Sequence, residues 1–493
     1  MLLFIVFAPI VTALLILVGA PARLTALLGS AATTVATLAA FFLYDPAHAG
    51  FQFVSSFPIS QSWRLQFLLG ADGLTLVMLF LAALVLLCAV WCTPPIEKSE
   101  RLFYACLLFL ASGAIGAFAS LDLFFFYAFH ELALIPTFLL IGIWGSGNRF
   151  AAAWKVTIYL AVGSFILLLG LIFLYRSVPA PLRTFDLRAL QTIATHGGIA
   201  VPLQSQIFLV LLIGFGVLIS LFPFHTWAPE AYASAPAPAA MLHAGVLKKF
   251  GLYGLLRVAL PLLPAGAQHW NTLLIVLLSG NIIYVGLVTL AQKRLDWMLG
   301  YSSVMHMGYI FLGIASANVV GLNGAALLMF AHGISIALLF ALAGEIRRRT
   351  GTLVFSDLGG LGKAMPFAGL AFGLATFAAI GLPGFANFAA EVMVFFGAFR
   401  VGATWQGFHL FQIATVLALL GVVISAVYML RAYRAIFMGK ASERWNHLPD
   451  LSRALRVPII LLVAVTLLIG CYPNSILRVL RPTFSAPVVS TSR

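Results

Sequence analysis

The sequence predicts an all-α polytopic membrane protein, and three observations carry that reading. Hydrophobic residues make up 62% of the chain and charged residues only 9%, a balance that no soluble domain needs. Uncharged apolar runs long enough to cross a bilayer recur from one end to the other. The few ionisable residues inside those runs are conspicuous, because a charge at bilayer depth costs about 3 kcal/mol or more and is kept where it faces protein or water.

In chain order the apolar runs fall at about 2–20, 24–43, 72–92, 102–119, 122–144, 152–175, 206–224, 235–262, 271–291, 297–316, 321–346, 366–399, 409–433 and 456–473. They predict fourteen transmembrane helices, called helices 1 to 14 below. The longest pieces between them, about 44–71, 177–205 and 434–455, read as loops rather than domains. The first run starts at Leu2 with no basic segment before it, so a first transmembrane helix is expected rather than a cleaved signal peptide.

The formal charge of +14 raises the question of nucleic acid. The basic residues are scattered over short loops instead of forming one patch or tail, which excludes that class of partner. Cys88, Cys92, Cys106 and Cys471 lie in or beside apolar runs with neither a CxxC pair nor a Cys/His set, and read as membrane-core thiols without metal or disulfide. Seventeen basic residues fall in loops 1–2, 3–4, 5–6, 7–8, 9–10, 11–12 and 13–14 and nine, Arg493 among them, on the other side. The positive-inside rule therefore expects both termini outside the cytoplasm.

Two helices read as discontinuous. Helix 7 runs into LFPFHTWAPEA (Leu221–Ala231), and helix 12 is interrupted at IGLPGFANFAAE (Ile380–Glu391). Proline and glycine in corresponding places of two successive five-helix blocks point to an inverted internal repeat. The expected organisation is helices 1–3 in 1–101, a first repeat of helices 4–8 in 102–262, a second of helices 9–13 in 271–433, and a loop with helix 14 in 434–493. Broken helices are where transporters line hydrated sites with freed backbone groups; the plainer alternative is a proline kink.

The stretch SAPAPAAMLHAGVLKKFGLYGLLR, from Ser234 to Arg257, is the most informative. It sets Lys248 and Lys249 in an otherwise apolar helix, with His243 less than two turns before them. Glu131 in FFFYAFHELALIPTFL and Glu391 past the helix 12 break are the carboxylates at membrane depth, and each must be protonated, paired or hydrated. His306 and His332 lie in helices 10 and 11, and a neutral imidazole can take a proton on one nitrogen and release it from the other. Glu131, Lys249, His306, His332 and Glu391 thus trace a polar line along the middle of the membrane. Satisfied core histidines and structural ion pairs are the alternative reading of the same residues. The chain shows no Walker loop, dinucleotide fingerprint, or haem or cluster spacing, so its energy source is expected elsewhere.

These residues carry a resemblance. FHELALIPTFLLIGIWG, FPFHTWAPEAYASAPAPAAMLHAGVLKKFGLYGLLRVALPLLP, YSSVMHMGYIFLGI, AHGISIALLFALAGEIRRRTGT and LPGFANFAAEVMVFFGAF together resemble the antiporter-like subunit M (subunit 4) family of respiratory complex I, within a superfamily that includes Mrp-type antiporters and membrane-bound hydrogenase subunits. The match runs in order from GADGLTLVMLF near Gly70 to AVYMLRAYRAIFMG near Gly439. It implies inverted repeats of helices 4–8 and 9–13, and proton translocation driven by quinone reduction in partner subunits. It implies no cofactor in this chain; NADH, flavin, iron–sulfur clusters and quinone are expected in partners. The resemblance also implies the lipid bilayer and other membrane-arm subunits, including neighbouring antiporter-like ones, as direct neighbours, and a bacterial inner membrane as the location. Matched by position, Glu131, Lys249, His306, His332 and Glu391 take the places of the family's helix 5 glutamate, helix 8 lysine, two central histidines and helix 12 glutamate.

One departure stands out. The family's helix 7 lysine, five residues before the proline of its Pro-x-His motif, is Leu218 here, counted back from Pro223 and His225. Nearby, Lys248 and His243 stand where the family is usually apolar, and His130 where an aromatic is common. Two readings are open: Lys248 or His243 supplies the missing titrating group, or the first half-channel is disabled and the chain is structural or weakly coupled. A Mrp-type cation/proton antiporter or a hydrogenase-linked membrane subunit is a further alternative. In ALAQKRLDWMLGYSS, Arg294 and Asp296 exchange the usual charge order of the loop, which reads as a solvated pair.

Overall fold

The computed structural model describes residues 1–48, 50–402, 408–440 and 443–485, so Arg493 of the charge count lies outside the described residues. Every one of the fourteen apolar runs carries helix, and local chemistry sets several starts. Asp72 caps helix 3 (Gly73–Cys92), accepting from the Thr75 amide at 3.0 Å. Asp122 caps helix 5 through the Phe124 amide at 2.9 Å, and Asn318 caps helix 11 (Val319–Thr350) through the Gly321 amide at 3.0 Å. Each side-chain oxygen satisfies a first-turn donor that the helix itself cannot.

Among the described residues, eleven helices are long and apolar enough to cross a membrane by length and composition. Three further apolar helices are shorter: Leu2–Val18, and Pro366–Ile380 and Ala386–Phe399 on either side of the helix 12 break. Helix 11 runs through the centre, with its most apolar window 100% buried, and packs against the almost wholly buried helices 3 and 10 (Leu295–Ala315) and the Ala386–Phe399 segment of helix 12; helix 4 (Glu100–Ala119) is almost wholly buried as well. Helices 2 (Ala22–Leu43), 6 (Arg149–Ser177), 13 (Leu410–Phe437) and 14 (Arg453–Cys471) turn apolar faces outward, as lipid or protein neighbours require.

Both expected breaks are present. Helix 7 (Val201–Ile219) stops at Ser220, whose φ is 68°, and resumes as Trp227–Ser234. The freed backbone is satisfied from elsewhere: Asn281 accepts from the Phe222 amide at 2.7 Å and donates to the Ser220 carbonyl at 3.1 Å, while the Trp227 indole donates to the Val217 carbonyl at 3.0 Å. Helix 12 stops at Gly381, with φ +78°, before Pro383.

The structure adds breaks that the apolar runs conceal. Helix 5 is two segments, Leu123–Leu132 and Leu134–Trp144, because Pro136 has no amide to give the Leu132 carbonyl. Helix 8 is not one α-helix: π segments His243–Leu247 and Leu255–Ala259 interrupt it, and the Lys248 amide reaches back five residues to the His243 carbonyl at 3.1 Å. Helix 9 (Pro264–Ala291) holds a third π segment, Gly280–Tyr284, which contains Asn281.

The loop readings need correction. Residues 44–71 hold an antiparallel hairpin of β1 (Gln52–Ser60) and β2 (Leu65–Ala71), with Phe57 opposite Phe67. A short amphipathic helix, Leu187–Thr195, lies in 177–205, and another, Asn474–Ser485, follows helix 14 and buries Ile476, Leu477, Val479, Leu480 and Phe484. The cysteines are free thiols, but Cys471 is exposed rather than in the core.

Candidate functional site

Lys249 lies just past the first π segment of helix 8, after Lys248, and is fully buried. Its Nζ donates to the Ala244 carbonyl at 2.7 Å and lies 3.0 Å from His332 Nδ1. An ammonium can only donate, so a charged Lys249 makes that nitrogen the acceptor and leaves the ring proton on Nε2. The His332 ring lies 5.3 Å from the ring of His306. His306 has carbonyl oxygens at both nitrogens, Ser302 at 2.8 Å from Nδ1 and Ala379 at 3.0 Å from Nε2. Only the doubly protonated ring donates to both; the neutral ring leaves one lone pair facing oxygen.

The Ala379 carbonyl belongs to the last turn before the helix 12 break, and Glu391 closes on that break from the other side. A Cβ at Gly381 would collide with Glu391 Oε2, so the glycine both adopts the positive φ and makes room for the carboxylate. Glu391 is 3% exposed and has no hydrogen-bond partner among the described residues. One turn earlier, Asn387 Nδ2 lies 3.5 Å from Ser335 Oγ on helix 11. The structure therefore brings Lys249, His332 and His306 together and sets Glu391 across the helix 12 break from the His306 acceptor. Asn387, Ser335 and Asn281 are amides or a hydroxyl within apolar runs, which the sequence does not single out; only the buried Asn387, four residues before Glu391, has a helical-spacing signal.

Glu131 is placed differently. Ser164 of helix 6 donates to it directly, Tyr127 lies 3.2 Å from the same hydroxyl, and His130 Nδ1 is 3.8 Å away. Its side chain is 36% exposed, and no contact joins it to Lys248 or Lys249 among the described residues. Leu218 is buried, with Cδ2 against the backbone of Gly163, one residue from Ser164. His130 is buried with its ring over Phe250 at 4.1 Å, beside Lys249 in sequence.

Lys248 and His243 form a separate cluster. Lys248 is 2% exposed, and its Nζ sits 5.6 Å from the centre of the Tyr232 ring. The His243 ring lies 5.5 Å from Tyr232 and 5.8 Å from Trp227. Lys248 Nζ, both His243 ring nitrogens and the Tyr232 hydroxyl have no hydrogen-bond partner among the described residues.

Paired charges close both ends of the helical bundle. At one, Arg257 binds Asp72 at 2.5 Å and the Tyr253 hydroxyl donates to the Phe118 carbonyl at 2.7 Å. Burial alone would raise the Asp72 carboxyl, but the Arg257 guanidinium and the Thr75 amide hold it below its usual value of 3.8. At the other end, Asp296 pairs with both Arg294 and Arg347, and Arg347 also donates to Ser146 at 2.8 Å. The reversed charge order thus makes a structural tie, with Asp296 3% exposed, and not the solvated pair expected.

Broken helices around a buried lysine–histidine line define a membrane protein of the antiporter-like class. The comparisons with known proteins agree and narrow it. The family model described as "NADH:quinone oxidoreductase/Mrp antiporter, TM" matches residues 120–448, and the chain belongs to that family. It is 34% identical over 458 residues to the NADH-quinone oxidoreductase subunit M of Rickettsia felis, covering 92% of this chain and 90% of that one. Its fold matches a chain of respiratory complex I from Thermus thermophilus with bound NADH, with TM-score 0.88 and 27% identity, covering 99% of this chain and 100% of that one. A chain of the Mrp complex from Dietzia sp. DQ12-45-1b shares the fold at TM-score 0.85 and 19% identity, covering 99% of this chain and 97% of that one. The resemblance read from the sequence to subunit M of complex I is thereby met, and the chain is part of an enzyme complex rather than an enzyme alone.

Proposed function

We propose that this chain is a proton-translocating, antiporter-like membrane subunit of a complex I-type NADH-quinone oxidoreductase. Quinone reduction in partner subunits, which hold the NADH, flavin and iron–sulfur clusters, drives protons along Lys249, His332 and His306 toward Glu391. The observation that carries this is the Lys249 to His332 contact of 3.0 Å with His306 next in line, a set of proton-exchanging groups buried at membrane depth. Glu131, tied to Ser164, sits apart from that line, and Lys248 with His243 takes over the titrating role absent at Leu218. The two breaks belong to repeats of helices 4–8 and 9–13, the membrane is the bacterial inner membrane, and both termini lie on its non-cytoplasmic side.

A second reading has one observation in its favour. Glu131 is satisfied by a serine, which is what a structural, non-pumping paralogue would need. Lys249→Met in the assembled, reconstituted complex separates the two. Protons pumped per electron should fall at least several-fold with assembly intact; full pumping by that variant would leave only the structural reading.

A further inference from the structure

A cavity of about 480 Å³ opens between the ends of helices 3, 5, 8, 10 and 11, on the face that carries most of the basic loops. Cys92, Ser146, Asp296, Phe340 and Arg347 line it, and so does Tyr232. Tyr232 is 2% exposed, packed edge-on against Phe340 at 5.9 Å, and lies between the cavity and the Lys248–His243 pair. Of the charged residues that line it, Asp296 is paired with Arg294 and Arg347 and Glu345 with Arg348, while Glu97 and Lys98 at the mouth have no ion pair among the described residues. The buried polar atoms without a hydrogen-bond partner, the Tyr232 hydroxyl, Lys248 Nζ and the two His243 nitrogens, are gathered at the inner end. Buried polar groups without a protein partner are the ones that take water.

A second cavity of about 340 Å³, on the opposite face beside Asp72 and Arg257, offers a contrast. There Asp72 is bound by Arg257, so the charge that could exchange a proton is held in a pair. A cavity reaching toward orphaned, titratable groups is the one suited to proton exchange.

We propose that the 480 Å³ cavity is a proton-uptake vestibule for Lys248 and His243, with the Tyr232 hydroxyl as a positioning group at its inner end. Water in the vestibule hydrogen-bonds to Tyr232 and reaches His243. A hydrated proton adds to the unprotonated ring nitrogen of His243, the opposite ring nitrogen gives up its proton to a bridging water, and that water passes a proton to the Lys248 amine. The ring ends neutral in the other tautomer, Lys248 ends as the ammonium, and one positive charge has moved inward. This rests on the reading that protons cross this chain.

The assembled complex in sealed vesicles of both orientations tests it, using a chain in which Cys88, Cys106 and Cys471 are serine and Cys92 is native. A membrane-impermeant methanethiosulfonate should label Cys92 from the basic-loop face only, and the label should lower protons pumped per electron several-fold. Tyr232→Phe, which keeps the ring and removes the hydroxyl, should slow proton uptake several-fold and change its solvent deuterium isotope effect. An unreactive Cys92, labelling from the opposite face, or a Tyr232→Phe complex with wild-type uptake and isotope effect would overturn the vestibule. Failure of the pumping proposal itself shows separately, as full pumping by Lys249→Met.

Discussion

Two neighbouring lysines on one helix are buried in opposite ways. Lys249 points toward the second half of the chain and has a carbonyl and an imidazole at hydrogen-bond distance; Lys248 points toward the first half and has an aromatic face and orphaned neighbours. An α-helix turns about 100° per residue, so adjacent side chains must enter different surroundings. The difference teaches where charge is held by partners and where it is held at a cost. A paired buried charge is lost only with a partner's cost, whereas an unpaired one strains the fold whenever it is charged.

The comparison can be broken by removing groups from each side. The largest loss of stability is expected from Asp72→Asn, which leaves Arg257 buried without its carboxylate and should cost about 3–5 kcal/mol, read as a fall in Tm of the purified complex. Because Asp72 is held below its usual value of 3.8, its contribution is full above that pH and is lost as pH falls through the lowered value. The Tm gap between wild type and Asp72→Asn should therefore close in acid; a gap that widens as pH falls would contradict the pairing. Next comes His332→Leu, which takes one of two partners from Lys249 and should cost about 1.5–3 kcal/mol, with pumping per electron falling at least as far as in Lys249→Met.

Lys248→Met should behave oppositely on stability. Removing an orphaned ammonium and keeping an apolar stem of similar length should raise stability by about 1–3 kcal/mol while pumping falls a few-fold. A destabilised Lys248→Met would show that Lys248 has a partner, and the contrast between the two lysines would fail.

Much of this was legible in the sequence, and the gaps have physical reasons. Pro223, Gly381 and Pro383 announce the helix 7 and 12 breaks because they remove donors or demand a positive φ, and such effects are local to the chain. Lys249, His306, His332 and Glu391 are legible because ionisable residues in apolar runs are costly. The π segments of helix 8 leave no such mark, since no proline or charge in the run coincides with the start of either. The hairpin of 52–71 mixes serine, glutamine and aromatics without clean alternation, which is why the stretch reads as a loop. Ser164 as the partner of Glu131 and Tyr232 beside Lys248 are contacts between distant parts of the chain, 33 residues apart in the first case, and no spacing rule reaches them.

The central claim is that the first half works without a lysine at Leu218, whose side chain now lies against helix 6 beside Ser164. Proton pumping per electron by the reconstituted complex, compared with Leu218→Lys, tests it most directly. The account predicts full pumping in the native chain, left unchanged or lowered by the added lysine; an increase would mean that the first half-channel was disabled and that Lys248 and His243 do not replace it.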